Sequence, residues 1–295
     1  MDFPDLFRNH FIEGKLHNIN VSFNVKEHAE HFGGTAGNIA YTLALLEEKP
    51  SLVTTAGNDF DRYKDHLAKS GVDLSLLHTD ADLATAFAYI LTDQGDNQIT
   101  AFYPGAMGKS YGSPIPEARL GIISPGSLDD MHTMPDIFLS QKIPFFFDPG
   151  QVIPVLPIED LKQGIQKSEV VFANDYEFSL ICKRTGWTAS DILANSKKFV
   201  ITLGAEGTKI LTSDGGFGIP GIKVDNVVDP TGAGDAYRAG YAKGYLAGLA
   251  VEKCVMLGSC AASYAIQYIG TQSHHFTMDE FRQRYEGGFS EKCPI

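Results

Sequence analysis

The stretch Asp229-Pro230-Thr231-Gly232-Ala233-Gly234-Asp235 decides the fold and the chemistry that this sequence predicts. Three residues with little or no side chain precede Asp235, so a ligand can approach their backbone N–H groups closely. A helix with small residues at 236, 240, 244 and 248 follows. The first N–H groups of a helix are unpaired and lie at the positive end of its dipole. The stretch therefore predicts an anion-binding turn formed by Gly232, Ala233 and Gly234.

Asp235 lies in the first turn of this helix, where a carboxylate can take a proton from an attacking hydroxyl. The turn itself is suited to the negative charge of a phosphoryl group in transfer. The alternative is a glycine-rich loop in which Asp235 only starts a helix, which is a common arrangement. The full string, followed by a helix with a small-residue face, favours the chemical interpretation.

Length, composition and charge restrict the class of protein. The 295 residues are 43% hydrophobic and 20% charged, which is typical of a soluble protein with a core. The net charge of −12 argues against nucleic acid or an anionic membrane as a partner. Four cysteines without a Cys-x-x-Cys pair, and no signal peptide or long apolar stretch, predict reduced thiols and a cytoplasmic protein.

Apolar runs alternate with helical patterns along the chain. The predicted strands are Ser51–Ala56, Gly121–Ser124, Ile143–Phe147, Val170–Ala173, Phe199–Leu203, Lys209–Ser213 and Ile219–Val228, and the helices include Phe60–Ser70 and Cys254–Ile269. This order predicts an α/β fold with a doubly wound, mostly parallel sheet flanked by helices, formed by residues 1–295 as one domain.

A small separate sheet is predicted over the pocket. Ala84–Leu91 and Gln98–Tyr103 flank a polar turn and read as a hairpin, and the alternating run Ile19–Val25 reads as a third strand. We expect this lid to cover about 16–32 and 84–106. The exposed edge of Ile19–Val25 suggests a homodimer formed through the lid.

The string 229–235, with Arg238-Ala239-Gly240-Tyr241 after it, resembles the C-terminal signature of the PfkB/ribokinase family of carbohydrate and nucleoside kinases. The segment 100–107, Thr-Ala-Phe-Tyr-Pro-Gly-Ala-Met, is similar to one in the bacterial adenosine kinases of that family. The resemblance implies a ribokinase-like fold and ATP-dependent phosphorylation of the 5′-hydroxyl of adenosine. It also implies that Asp235 is the catalytic base and that Gly232, Ala233 and Gly234 form the anion hole.

The resemblance implies substrate contacts as well. Gly34 and Asn38, which open a helix, contact the sugar hydroxyls, although a glycine pair there is also ordinary turn chemistry. Phe87 and Phe102 stack on the adenine, with packing inside the lid as the alternative. Gln151 follows a buried strand, and ligands bind beyond the carboxyl ends of such strands, so Gln151 is a candidate substrate contact.

The nucleotide and metal residues come from two further motifs. Asn174-x-x-Glu177 matches the family motif that organises Mg²⁺, with Glu177 as the metal-side residue, but the same spacing is also a helix-capping pattern. Thr202-x-Gly204-x-x-Gly207 resembles the turn that holds the ATP phosphates, and Thr231 is assigned to the nucleotide too. The sequence leaves open whether a monovalent cation such as K⁺ is required.

The start of this sequence departs from the family pattern, and this leaves other functions open. The family opens with a core strand and an Asp that grips the sugar, whereas this sequence starts at Met1-Asp2-Phe3-Pro4, beyond that point. We expect an incomplete start, with residues upstream of Met1. The alternatives are a kinase for another nucleoside or a free sugar such as ribose, and a non-catalytic nucleoside-binding relative. A nicotinamide-dependent dehydrogenase is disfavoured because no Gly-x-Gly-x-x-Gly follows an early strand.

Overall fold

The computed structural model describes residues 1–11, 20–95, 97–112, 114–212 and 215–295. The helices are α1 (Thr35–Leu45), α2 (Asp61–Lys69), α3 (Leu128–Ser140), α4 (Ile158–Lys167), α5 (Asp175–Thr185), α6 (Ala189–Asn195), α7 (Ala233–Leu246), α8 (Val251–Ala265) and α9 (Met278–Phe289). The strands are β1 (Thr54–Ala56), β2 (Leu77–Thr79), β3 (Phe87–Thr92), β4 (Gln98–Tyr103), β5 (Gly121–Ile123), β6 (Phe145–Phe147), β7 (Val170–Asn174), β8 (Lys198–Thr202), β9 (Thr208–Thr212) and β10 (Gly215–Ile219). No helix in the described part of the chain is long and apolar enough to cross a membrane.

A six-stranded sheet with the order β10-β9-β8-β7-β6-β5 forms the centre of the molecule. Strands β5 to β8 pair in parallel, while β9 and β10 continue the sheet antiparallel. The predicted doubly wound, mostly parallel sheet with flanking helices is therefore confirmed. Because parallel strands end at one edge of the sheet, the loops after β6, β7 and β8 meet there.

The side chains of successive residues in a strand point to opposite faces of this sheet. In β6, Phe145 and Phe147 belong to the core that packs under α3 to α6, whereas Phe146 belongs to the core with α1, α7 and α8. All three phenylalanine side chains are at most 1% exposed. This double burial is the reason why the strand reads as an unbroken apolar run.

The small residues of α7 allow the helix to approach α8 closely. A Cβ at Gly240 would come within 2.3 Å of the Leu257 carbonyl oxygen, and one at Gly244 within 2.9 Å of the Cys254 Cα. The small-residue face predicted from the sequence is thus a helix-packing surface, which holds the start of α7 at a fixed place.

Strands β1 and β2 form a parallel pair apart from the main sheet. Within the described chain, β1 pairs only with β2, and β5 pairs only with β6. Residues of both β1 and β5 line one large cleft of about 2560 Å³, which also contains the residues around Asp235. Strands β1 and β5 therefore border the cleft without pairing with each other.

The lid differs from the prediction in its third strand. Ile19 lies outside the described residues, and residues 20–25 form no strand. Instead the backbone of Asp2 bridges Glu27 on one side and Thr92 of β3 on the other. Because Asp2 takes that position in the ladder, the segment from 20 to 25 packs through Phe23, whose ring lies 4.8 Å from that of Phe3.

The last predicted strand is also wrong in its position. Ile219–Val228 was expected, but β10 covers Gly215–Ile219 and ends opposite Thr208, where β9 begins. Pro220 follows directly, and proline has no N–H with which to continue a ladder. Residues 220–230 therefore run as a loop to the turn before α7.

Candidate active site

The turn before α7 has the geometry of an anion site. Gly232 is the N-cap of the helix with φ +80°, a conformation that favours glycine, and a Cβ there would also meet Thr271 at 2.9 Å. The Ala233 N–H donates a long bond of 3.2 Å to the Pro230 carbonyl. The N–H groups of Gly232 and Gly234 make no hydrogen bond to another part of the described chain. Two donors are thus available at the positive end of the helix.

Asp235 is half-buried and faces the same cleft as this turn. Its Oδ2 accepts a hydrogen bond of 2.7 Å from Asn38 Nδ2. Burial raises the pKa of Asp235, while the nearby Arg238 charge and the Asn38 bond act in the opposite direction. The second carboxylate oxygen, Oδ1, accepts no hydrogen bond from the described protein and is available to a substrate hydroxyl.

Asn38 holds Asp235 rather than standing free in the pocket. Its side chain is 4% exposed, and its Oδ1 accepts a hydrogen bond of 2.9 Å from Gln272 Nε2. Because the oxygen end is occupied in this way, the amide nitrogen must be the end that donates to Asp235. Gln272 also donates to the Tyr63 hydroxyl, which in turn donates to the Gly33 carbonyl at 2.7 Å. The predicted substrate residue Asn38 is therefore also a partner of the carboxylate.

The register of the lid hairpin separates the two predicted stacking residues. Phe102 pairs with Ala88, and Phe87 pairs with Tyr103, so the two rings point to opposite faces of the hairpin. The Phe102 face lines the cleft with all of its residues, namely Ala88, Ile90, Thr92, Gln98, Thr100 and Phe102. Phe87 lies on the other face, 5.2 Å from the Tyr103 ring and 5.1 Å from the Tyr89 ring. Phe87 nevertheless borders the same large cleft, so the contact of both rings with one base stays a prediction, although the two rings belong to opposite faces of the hairpin.

Asn174 and Glu177 form a capping box at the start of α5. The Glu177 N–H donates to Asn174 Oδ1 and the Asn174 N–H donates to Glu177 Oε2, both at 2.8 Å. The capping interpretation of this motif is thus realised. Both residues still line the cleft, and Glu177 keeps Oε1 free of protein hydrogen bonds.

The negative charges around Asp235 suit a divalent cation. The carboxylates of Asp235, Asp148 and Glu177 interact electrostatically with one another, and Arg238 is the positive group among them. Three carboxylates and one guanidinium leave an excess of negative charge. The described residues contain no group of three or more His, Cys, Asp or Glu side chains placed to hold a metal. A divalent ion bound here would therefore keep several waters and take most of its other ligands from phosphates.

The remaining predicted residues divide into two groups. Gly34, with φ +88°, lines the cleft together with Gln151, Thr202 and Thr231. Gly204 and Gly207 do not line it; a Cβ at Gly207 would come within 2.2 Å of the Ile219 carbonyl oxygen. Gly207 is buried and holds the turn between β8 and β9, and the nucleotide role of Gly204 and Gly207 stays a prediction.

Sequence reasoning missed three residues next to the site. Asp148 follows β6 directly and binds Arg238, and Gln272 orients Asn38. A signal existed for Arg238, because this charged residue stands three positions after Asp235 on a helix whose packing face is made of small residues. No local pattern pointed to Gln272, because its partner Asn38 lies 234 positions earlier in the chain.

The fold and this site together define a kinase that transfers a phosphoryl group to an alcohol. A family model described as "pfkB family carbohydrate kinase" matches residues 13–277, and the chain therefore belongs to that family. The resemblance stated from the sequence is confirmed, as is a phosphotransferase with an alcohol acceptor.

Relatives of known structure and name agree with this family. The nucleoside kinase of Burkholderia thailandensis in complex with inosine has a TM-score of 0.91 and 34% identity, covering 99% of this chain and 95% of that chain. The same protein in complex with ADP-inosine gives a TM-score of 0.88, again at 34% identity, over 99% of this chain and 93% of that chain. The nucleoside kinase of Methanocaldococcus jannaschii is 30% identical over 272 residues, covering 90% of this chain and 89% of the relative.

Proposed function

We propose that this protein transfers the terminal phosphoryl group of ATP to the 5′-hydroxyl of a nucleoside, with Asp235 as the base. The observation that carries the proposal is the position of the free Asp235 Oδ1 beside the open N–H groups of Gly232 and Gly234. In this arrangement the carboxylate accepts the proton of the attacking hydroxyl, and the N–H groups stabilise charge on the transferred group. The similar proteins named as nucleoside kinases support the acceptor class.

Mg²⁺ belongs to the same proposal. Glu177 Oε1 is the carboxylate oxygen free to hold the ion through water. A bound Mg²⁺ would neutralise charge on the phosphates, which are also its natural ligands. Asn174 acts indirectly, because its side chain and its N–H hold Glu177 in place. A requirement for K⁺ stays a prediction.

Adenosine is the acceptor that we propose to test first. The hairpin face that lines the cleft with all of its residues offers one exposed aromatic ring, Phe102, and polar side chains at Gln98 and Thr100. A flat base can stack on the ring, while an amide or hydroxyl can meet the polar edge of a purine. A free sugar would leave both features without a partner. Inosine is the direct competitor, since the Burkholderia thailandensis protein is seen in complex with it.

The test is an acceptor panel with ATP and Mg²⁺ under identical conditions. Adenosine, inosine, cytidine, uridine and ribose are each offered, and ADP release is measured together with the mass of the phosphorylated product. We expect the highest kcat/KM with adenosine and a nucleoside 5′-monophosphate as the product. A higher value for inosine would move the proposal to that base. Phosphorylation of ribose alone, or no ADP release with any acceptor, would overturn it.

A homodimer formed through the lid is a further part of the proposal. The surface that supports it is one face of the hairpin and not the strand edge expected from the sequence. The hairpin face opposite to Phe102 consists of Phe87, Tyr89, Leu91, Ile99, Ala101 and Tyr103, of which only Phe87 and Tyr89 border the cleft. Phe87, Tyr89 and Tyr103 are 41%, 57% and 40% exposed. A contiguous aromatic patch of this kind is typical of an interface, and we propose that a second copy covers it. Sedimentation of a monomer alone at micromolar concentration would contradict this.

A further inference from the structure

A buried ion pair lies directly beneath the proposed anion hole. Arg238 stands one turn after Asp235 on α7, and Asp148 follows β6. The guanidinium Nη2 donates to Asp148 Oδ1 at 2.8 Å, and Nε lies 2.5 Å from Oδ2. The two side chains are 9% and 2% exposed. Removing both charges from water is costly, and a well-packed apolar pair would often be at least as stable.

The third nitrogen of Arg238 is aimed at the turn before α7. Nη1 makes no hydrogen bond to the described protein, and a Cβ built on Gly234 would lie 2.5 Å from it. The guanidinium is therefore packed against the Gly234 backbone, which only glycine permits. The Phe172 ring lies on another side, with its centroid 5.6 Å from the guanidinium carbon. Both Arg238 and Asp148 line the cleft that contains Asp235.

Charged and titratable groups surround Asp235 on every packed element. They are Arg238 on the same helix, Asp148 after β6, Glu177 on α5 and Tyr63 on α2, with the amide of Asn38 on α1. Arg238 is the cation in this set. It lowers the pKa of Asp235, against burial and against the Glu177 charge, which raise it.

We propose that Arg238, held in place by Asp148, is a positioning residue for phosphoryl transfer. It supports the Gly234 turn from behind and supplies a fixed positive charge behind the anion hole. Arg238 thus acts through Gly234 and Asp235, and the inference rests on the proposed base role of Asp235. The function of the ion pair is electrostatic, and this explains why two charges are retained in a buried place.

The test must separate this role from simple structural support. Arg238→Met alone would leave Asp148 buried without a partner, which is strongly destabilising. The informative variant is the double substitution Asp148→Asn with Arg238→Gln, which removes both charges and keeps polar groups that can bond. The matched control is Glu48→Gln with Lys243→Gln, because that pair also joins α7, at 2.9 Å, but far from Asp235 along the helix.

The double variant is expected to stay folded, with a melting temperature close to that of the wild type. Its kcat is expected to fall by about 10- to 100-fold, less than for the loss of a direct oxyanion donor. The acid limb of its pH profile for kcat/KM should move to higher pH, because Asp235 loses the Arg238 charge that lowers its pKa; the simultaneous loss of the Asp148 charge, which repels the Asp235 carboxylate, only reduces this shift. The control pair should keep both kcat and the acid limb.

A folded double variant with wild-type kcat and an unchanged acid limb would overturn the inference and leave the pair a structural one. Should the double variant fail to fold, Arg238→Lys is the variant that tests the inference. This variant keeps the positive charge and loses the bidentate geometry of the guanidinium group. Arg238→Lys is expected to retain the acid limb of the wild type, and a shifted limb in a folded protein would overturn the inference. Full activity of Asp235→Asn would instead remove the base role itself, so the two failures are distinguishable.

Discussion

The two phenylalanines of the lid hairpin give a prediction with an internal control. Phe102 and Phe87 belong to opposite faces of the same short hairpin, and only the Phe102 face lines the cleft with all of its residues. We expect Phe102→Ala to weaken nucleoside binding much more than Phe87→Ala does, because the base is proposed to stack on the Phe102 ring. The two variants remove the same side chain from neighbouring strands, so general damage to the lid would affect both.

The magnitude follows from the exposed area of the ring. A phenylalanine has about 200 Å² of surface, and Phe102 is 57% exposed, so about 110 Å² is open in the free protein. A base that covers one face removes about half of this area from water, which contributes about 1.4 kcal/mol at ~25 cal/mol per Å². The dissociation constant for the nucleoside should therefore rise about tenfold.

Titration calorimetry with adenosine, without ATP, measures this constant directly. Equal affinities of Phe102→Ala and the wild type would refute the reasoning, and so would an equal loss in Phe87→Ala. The same samples provide a check in the ultracentrifuge, where Phe87→Ala should weaken the proposed dimer and Phe102→Ala should not.

Three further expectations concern the site and the helix beneath it. Gln272→Leu frees Asn38 to rotate, and we expect kcat to fall about tenfold in steady-state assays, with KM for ATP unchanged, because misplaced catalytic groups lose rate; an unchanged kcat would contradict the orienting role. Gly240→Ala places a Cβ 2.3 Å from the Leu257 carbonyl and should cost about 1–3 kcal/mol of unfolding free energy, measured by urea titration. Gly287→Ala on α9, where a Cβ meets nothing within 4 Å, is the control and should be neutral or stabilising by about 0.5–1 kcal/mol. Burial raises the pKa of Asp235, so kcat/KM of the wild type should be full above that pKa and fall, as the pH is lowered, earlier than for an exposed carboxyl; a flat profile down to the ordinary range would count against Asp235 as the base.

Local patterns predicted the parts of the fold that depend on local physics. Buried parallel strands such as Phe145–Phe147 read as apolar runs because both faces are covered, and the small residues of α7 read as a packing face. In the string that ends at Asp235, Gly232 takes a backbone conformation that favours glycine. The Asp235 carboxylate in the same string supplies the group that can accept a proton. These features were found because each is contained in a few consecutive residues.

The parts that failed depend on pairing between distant segments. The alternation of Ile19–Val25 is that of a strand, but the backbone of Asp2 takes the neighbouring ladder position. The faces of Phe87 and Phe102 could not be assigned without the register of the hairpin, since a shift by one residue exchanges the faces. The same reason hid Gln272 and the Arg238–Asp148 pair, whose members meet only in the folded chain.

The most direct test of the account is the rate of phosphoryl transfer in Asp235→Asn. With ATP, Mg²⁺ and the best acceptor of the panel, single-turnover kcat is expected to fall by about 10²- to 10⁴-fold, because general base catalysis contributes that much. The far-ultraviolet circular dichroism and the affinity for the nucleoside should remain those of the wild type, and Asp225→Asn, at an exposed carboxylate, should react normally. A folded Asp235→Asn protein with kcat within a few-fold of the wild type would contradict the central claim that this carboxylate accepts the proton of the attacking hydroxyl.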